Sequence, residues 1–232
     1  MPVIEPHHRN SPRISATKLG EYTDASPLRR RTIVRNQREP SDFIVARYEK
    51  ARTALTDYFI GGANDVTPVA ESALELSTLR GATDWQTQDF NVSGEALERF
   101  LDISDDFELD GLECSPGSNS APKLVIADVD VSVRPDVILR GTLRNKRIVG
   151  ALKFYFGKTT PLGDEAGLNV ATLLQRYCDE HLIQSGEVTS PKHCAVLDVF
   201  AKRWFRSTRA TQMRFRGLEA ACEEIRLWWN AA

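Results

Sequence analysis

The stretch PKLVIADVDVSVRPDVILRGTLRNKRIVGALKFYF, residues 122–156, decides the fold. From Leu124 to Ser132, apolar Val125, Ala127, Val129 and Val131 alternate with Ile126, Asp128, Asp130 and Ser132. A period of two predicts a strand with one partly polar face. Val137-Ile138-Leu139 reads as a second strand. Arg144-Asn145-Lys146 is a hairpin turn, and Ile148 to Phe156 a third strand. The second and third are apolar on both faces apart from isolated polar residues, which places them centrally in a sheet.

Working outward, residues 164–183 return to helical spacing, with Val170, Leu174, Tyr177 and His181 on one side. Ala195 to Phe200 is a short strand interrupted by Asp198, and Leu218, Cys222, Ile225 and Trp229 mark a last helix. Upstream the pattern is helical. Ser15 is a cap for a helix through Tyr22, and Ser26-Pro27 places a cap before a first-turn proline. Ser41 caps the next helix, with Ile44, Tyr48, Ala51, Leu55 and Phe59 inward and Gly61-Gly62 after it. Thr67-Pro68 opens another, carrying Val69, Ala73, Leu76 and Leu79, and Ser93 caps one with Leu97, Phe100 and Leu101. The reading is α/β: a flexible leader over 1–13 and a single domain over 14–232. Within it, 14–115 is a helical part with an acidic segment, and 116–232 a β-β-β-α-β-α mixed-sheet core.

Of the 232 residues, 41% are hydrophobic and 27% charged, as in a soluble globular protein. No apolar run reaches the ~18 residues that span a bilayer, so no membrane role is expected. MPVIEPHHRNSPRIS has no apolar signal-like core. Cys114, Cys178, Cys194 and Cys222 lack metal or disulfide spacing. A cytoplasmic location is the expectation. The net charge of −2 conceals an asymmetry: residues 61–115 carry 13 acidic and 2 basic residues, while both flanks are basic. Two uses compete. The basic flanks bind nucleic acid, or the acidic middle packs against them.

Two charges stand out in the central strands: Asp136, after Pro135, and Lys153, in Gly150-Ala151-Leu152-Lys153. Charges there need partners. Helix-β-β-β-helix-β order, a Pro-Asp opening the second strand and a lysine on the third resemble the PD-(D/E)XK nuclease superfamily. Ile14-Ser15-Ala16-Thr17-Lys18-Leu19-Gly20-Glu21-Tyr22, ahead of Ser26-Pro27, is similar to the opening stretch of its RecB-like branch. That branch also carries Gln and Tyr on the helix after the lysine strand, where this chain has Gln175 and Tyr177.

The resemblance implies a nuclease-like fold and phosphodiester hydrolysis in DNA or RNA with Mg²⁺ or Mn²⁺. By position, Asp136 would ligate the metal, Lys153 would act on the water or the phosphate, and Gln175 and Tyr177 would support the site. A metal would lower the pKa of a bound water and polarise the phosphoryl group. The departure is Ala151, where the superfamily places Asp or Glu two residues before the lysine. Asp130 is the first candidate for a replacement ligand, with Glu98 or Asp102 next. Without one, the same fold would be a catalytically inactive module binding nucleic acid or a protein partner. A further possibility is an accessory protein assembling through the acidic segment 102–113.

Two basic stretches are candidate nucleic-acid contacts: Arg29, Arg30, Arg31 and Arg35, and the run Lys202, Arg203, Trp204, Arg206 and Arg209. Guanidinium groups neutralise phosphates and an indole stacks on unpaired bases. The competing reading of the second run turns Trp204 or Phe205 inward and leaves its arginines solvated. Gly157-Lys158-Thr159 lacks the first glycine of a phosphate-binding loop, since Leu152 stands there. His193-Cys194 and Cys178 with His181 match no standard metal spacing.

Overall fold

The computed structural model describes residues 9–40, 47–118, 120–209 and 211–231. In chain order it contains β1 (Arg13–Ser15), α1 (Ala16–Thr23), α2 (Pro27–Arg38), α3 (Glu49–Ile60), α4 (Thr67–Thr78) and α5 (Asp84–Leu101). Then come β2 (Glu113–Pro116), β3 (Leu124–Ile126), β4 (Val129–Ser132), β5 (Val137–Leu143) and β6 (Lys146–Tyr155). The rest is α6 (Asp164–Tyr177), β7 (Glu187–Asp198), β8 (Arg203–Arg206) and α7 (Gln212–Ala231), with a π-helical turn over Cys178–Leu182 extending α6. Among the described residues no helix is long and apolar enough to cross a membrane.

The architecture is α/β, built on a five-stranded mixed sheet of order β2-β5-β6-β7-β8. The pairs β2–β5, β5–β6 and β7–β8 are antiparallel, and β6–β7 is parallel. A parallel pair needs a crossover, and α6 supplies it. Each face of the sheet has its own core. Val149, Ala151, Cys194 and Val196 pack with α1, α6 and α7. Leu152, Phe154, Ala195 and Leu197 pack with α3, α4 and α5. The period of two in β6 and β7 separates these cores, so the central strands are apolar on both sides.

The Arg144-Asn145 turn forms as expected, with both residues at positive φ (49° and 62°), the two-residue geometry that matches strand twist. Ser15 and Ser26 cap α1 and α2 by accepting from the Lys18 and Arg29 backbone N–H groups. Gly20 lets α1 lie against α6, since a Cβ there would come within 2.6 Å of the Val170 side chain. The cap expected at Ser41 and the inward Ile44 lie outside the described residues, as do residues 1–8 of the expected leader.

Several expectations change. Leu124–Ser132 is not one strand but a tight hairpin, turning at Ala127 and Asp128 (φ 47° and 62°). Ile126 sits opposite Val129, so Leu124, Ile126, Val129 and Val131 share the buried side while Val125 is exposed. Alternation continues through a two-residue turn with its parity shifted, which hides the turn from a period-of-two reading. This hairpin pairs with β1 in a separate three-stranded sheet, order β1-β4-β3. The first strand of the main sheet is instead β2, which straddles the end of the part read as helical.

Ser93 does not start a helix; Thr83 caps α5 by accepting from Gln86 N–H, while the Gln86 side chain accepts from Ala82 N–H. Residues 9–13 are held rather than loose. Arg9 bonds the end of α2, its carbonyl accepts from the Trp229 indole, and Arg13 is in β1.

Candidate functional site

The β5–β6 hairpin brings Asp136 and Lys153 together at one end of the sheet. Asp136 precedes β5, and its backbone N–H donates to Leu152 O at 2.8 Å. Lys153 follows Ala151 by two residues and so lies on the same face of β6. Its Nζ donates to Arg134 O at 2.7 Å and lies 3.9 Å from Asp136 Oδ2. The two side chains are 9% and 13% exposed, so their charges are nearly sealed from water. Burial lowers the Lys153 pKa, Asp136 opposes that, and Arg52 and Arg134 add to it.

Asp136 has no free oxygen. Oδ1 accepts from Arg52 of α3, and Oδ2 accepts from Phe154 N–H at 2.7 Å. Arg52 also lies over the Phe156 ring, 5.0 Å from its centre. The cluster is therefore one carboxylate held by two cations and a backbone donor.

The metal implied by the resemblance does not fit these residues. A hard divalent cation needs several oxygen ligands. Here a single carboxylate is already committed, and two positive side chains stand where the ion would sit. Ala151 is fully buried in the core, paired across to Ile138 and Cys194. Asp130 does not substitute: it belongs to β4 of the other sheet and pairs with Lys123. Asp102 pairs with Lys202. Among the described residues no three His, Cys, Asp or Glu side chains converge on a common point.

Gln175 and Tyr177 are engaged elsewhere. Gln175 Oε1 accepts from Ser207 Oγ at 2.6 Å, and Tyr177 is buried with its ring 5.2 Å from that of His181. Both stand in the last turn of α6, which runs back against the direction of β6. Lys153 is near the end of that strand, so the helix's final turn points away from it.

The chain matches no protein-family model and no curated protein significantly.

Two residues of the cluster's neighbourhood were not singled out in the sequence. Arg52 shares a helical face with Tyr48, Leu55 and Phe59, at spacings of four, three and four. A lone arginine in such a stripe signals a buried acceptor. Glu21 is 10% exposed on α1, 3.4 Å from the Tyr155 hydroxyl, and is neutralised by Lys18 at 2.7 Å and Arg29 at 3.7 Å.

The basic stretches divide. In the second, Lys202 pairs with Asp102, Arg203 with Asp164, and Arg206 donates to Asp106 O. Trp204 turns inward against Phe107 (4.6 Å between ring centres), and Phe205 is buried beneath α6. The acidic segment thus packs on this run, and Phe107 and Phe59 of the protein itself engage the Trp204 indole. Arg209 stays exposed. On α2, Arg30 is spent on Tyr22 O, Thr23 O and Glu224. Arg29, Arg31 and Arg35 are exposed, Arg31 resting over Trp228.

The remaining motifs have structural uses. Lys158 pairs with Glu95. Cys178 and Cys194 lie 3.8 Å apart in the core, while His181 faces Lys123 O and His193 faces Ser190 and Asp110.

Proposed function

We propose that this chain is a catalytically inactive module of nuclease-like fold that binds nucleic acid without cleaving it. The observation that carries the reading is the occupation of both Asp136 oxygens by Arg52 and Phe154 N–H, with Lys153 alongside. The superfamily's chemistry needs a carboxylate free to hold a metal, and this one holds cations instead. The nuclease-like assignment itself is supported by the pairing of the Pro-Asp strand with the lysine strand, followed by a crossover helix and a parallel strand.

Binding is supported by α2, which carries five arginines and no acidic residue, with Arg31 and Arg35 exposed one turn apart. Such a face neutralises phosphates, so affinity falls steeply with salt. The acidic segment is the weaker partner surface, because Asp102 and Asp110 are already paired with Lys202 and Lys192.

The test is fluorescence anisotropy with single- and double-stranded DNA and RNA, beside an end-label cleavage assay in Mn²⁺. The expected result is salt-sensitive binding, weakened by Arg31→Glu and Arg35→Glu, with strands left intact. Cleavage abolished by both Asp136→Ala and Lys153→Ala would instead establish an active nuclease. Absence of binding at low salt would remove the nucleic-acid reading.

A further inference from the structure

At the other end of the β5–β6 hairpin lies a cleft of about 810 Å³, within the size range of small-ligand pockets. A bulge builds it. Val149 pairs with Thr189 and Ala151 with Cys194, so Ser190–His193 have only Gly150 opposite them. Gly150 makes the bulge possible: a Cβ there would come within 2.6 Å of His193 Cβ and O. Pro191 suits this unpaired stretch, since it has no N–H to lose.

The cleft is strongly positive. It is lined by Arg144, Lys146, Lys192 and Arg209, against the single carboxylate of Asp110. Lys192 is paired with Asp110 at 2.7 Å. Arg144, Lys146 and Arg209 are exposed and have no side-chain partner among the described residues. Most other cations of the predicted binding stretches are matched internally. Three unmatched ones around one concavity repel each other, and an anion relieves that.

The neutral groups of the cleft do not compete for such an anion. Thr189 pairs with Val149, so its side chain lies on the Val149 face of the sheet, opposite to Lys146, Ile148 and Val188. Ser190 and His193 are already satisfied. Asp110 Oδ2 lies 3.1 Å from His193 Nε2, and Ser190 Oγ lies 2.7 Å from Nδ1. With the carboxylate accepting from Nε2–H, Nδ1 accepts the Ser190 proton. His193 stays a neutral brace that fixes the bulge, leaving the cations as donors.

We propose that this cleft binds the phosphate group of a phosphorylated ligand, with Arg144, Lys146 and Arg209 as its charge partners. The proposal does not rest on the nucleic-acid reading. A free phosphorylated small molecule and a strand terminus present the same chemistry.

The experiment is a thermal-shift and calorimetric titration of the full chain with inorganic phosphate and pyrophosphate in chloride buffer of matched ionic strength. Oligonucleotides with 5′-phosphate or 5′-hydroxyl ends follow. Both small anions are expected to raise the melting temperature, pyrophosphate more. Lys146→Glu and Arg209→Glu should each weaken pyrophosphate at least about tenfold, the loss of a charge-assisted contact. Neither variant should lower the stability of the unliganded protein, since both side chains are exposed, which separates ligand binding from a structural role.

Preference for the 5′-phosphate, lost in the same variants, assigns the ligand to a strand end. Equal affinity for both ends, with pyrophosphate binding intact, assigns a free small phosphate. No response to pyrophosphate, or an equal response in the Lys146→Glu/Arg209→Glu double variant, overturns the proposal. Failure of every oligonucleotide with pyrophosphate binding intact overturns the nucleic-acid reading alone.

Discussion

The two ends of the β5–β6 hairpin treat charge in opposite ways. At one end, Asp136 is gripped by Arg52, Phe154 N–H and Lys153, and little of it reaches water. At the other, about 20 Å along the strands, Arg144 and Lys146 stand exposed beside Arg209, with no side-chain partner among the described residues. The superfamily resemblance directs attention to the first end, where the polar groups satisfy one another. Unmet demand for a ligand is at the second. A site is better located by charges that lack partners than by charged residues as such.

The most severe way to break the contrast is to force an acidic residue back into the sealed end. Ala151→Asp would bury a carboxylate between Ile138 and Cys194, and should cost about 3 kcal/mol or more of unfolding free energy in urea titration. A stable variant with Mn²⁺-dependent cleavage would show that this end is open after all. Next in size is Asp136→Ala. It leaves Lys153 buried beside Arg52 with no counter-charge, and should cost about 2–4 kcal/mol, reduced from the fully buried case because Arg52 is partly solvated. An unchanged urea midpoint would mean the carboxylate does not hold this end together.

Lys153→Met should change stability by no more than about 1 kcal/mol at neutral pH, since it removes a buried charge as well as a partner. Its signature is in pH. The folded-state pKa of Lys153 lies below the ordinary 10.5, chiefly through burial. Between the two values the unfolded chain holds the extra proton, so wild-type stability gains on the Met variant as pH rises toward 10.5. A difference that is flat across that interval would contradict the sealed geometry.

At the open end, burial likewise lowers the His193 pKa below 6.5, with Asp110 opposing. Below pH 6.5 the unfolded chain takes up a proton that the folded chain resists. Wild type should therefore lose stability as pH falls through that region, and His193→Gln should lose less. Parallel curves would show that His193 does not brace the bulge as a neutral ring. The smallest effect belongs to the exposed pair between Lys202 and Asp102, where Lys202→Ala should leave the urea midpoint within error.

Much of this was legible in the sequence, and for local reasons. Ser26-Pro27, Gly61-Gly62 and Arg144-Asn145 carry their own turn and cap chemistry, so α2, the end of α3 and the β5–β6 turn follow from single residues. The doubly apolar strands announced a central position. The hairpin at Ala127-Asp128 stayed hidden because neither residue is a strong turn former and alternation continues through it. β2 stayed hidden because a four-residue edge strand, Glu113-Cys114-Ser115-Pro116, has no pattern of its own. β8 was seen as a charge run because its inward partners, Phe107 and Phe59, lie far away in sequence.

The sequence by itself determined that Asp136 and Lys153 would meet, since a hairpin turn and a period of two fix which residues face each other. It also determined that acidic and basic segments were available to pair, though not which would. Only the tertiary structure decided the chemistry of that meeting. It brought Arg52 from a helix more than eighty residues away, left Ala151 walled in by two neighbouring strands, and sent Asp130 to another sheet. It likewise gathered Arg144, Lys146 and Arg209 around a bulge whose one lining carboxylate, Asp110, is taken by Lys192 and His193. Electrostatic partnership depends on distance in space and on exclusion of water, and neither is written in the local order of residues.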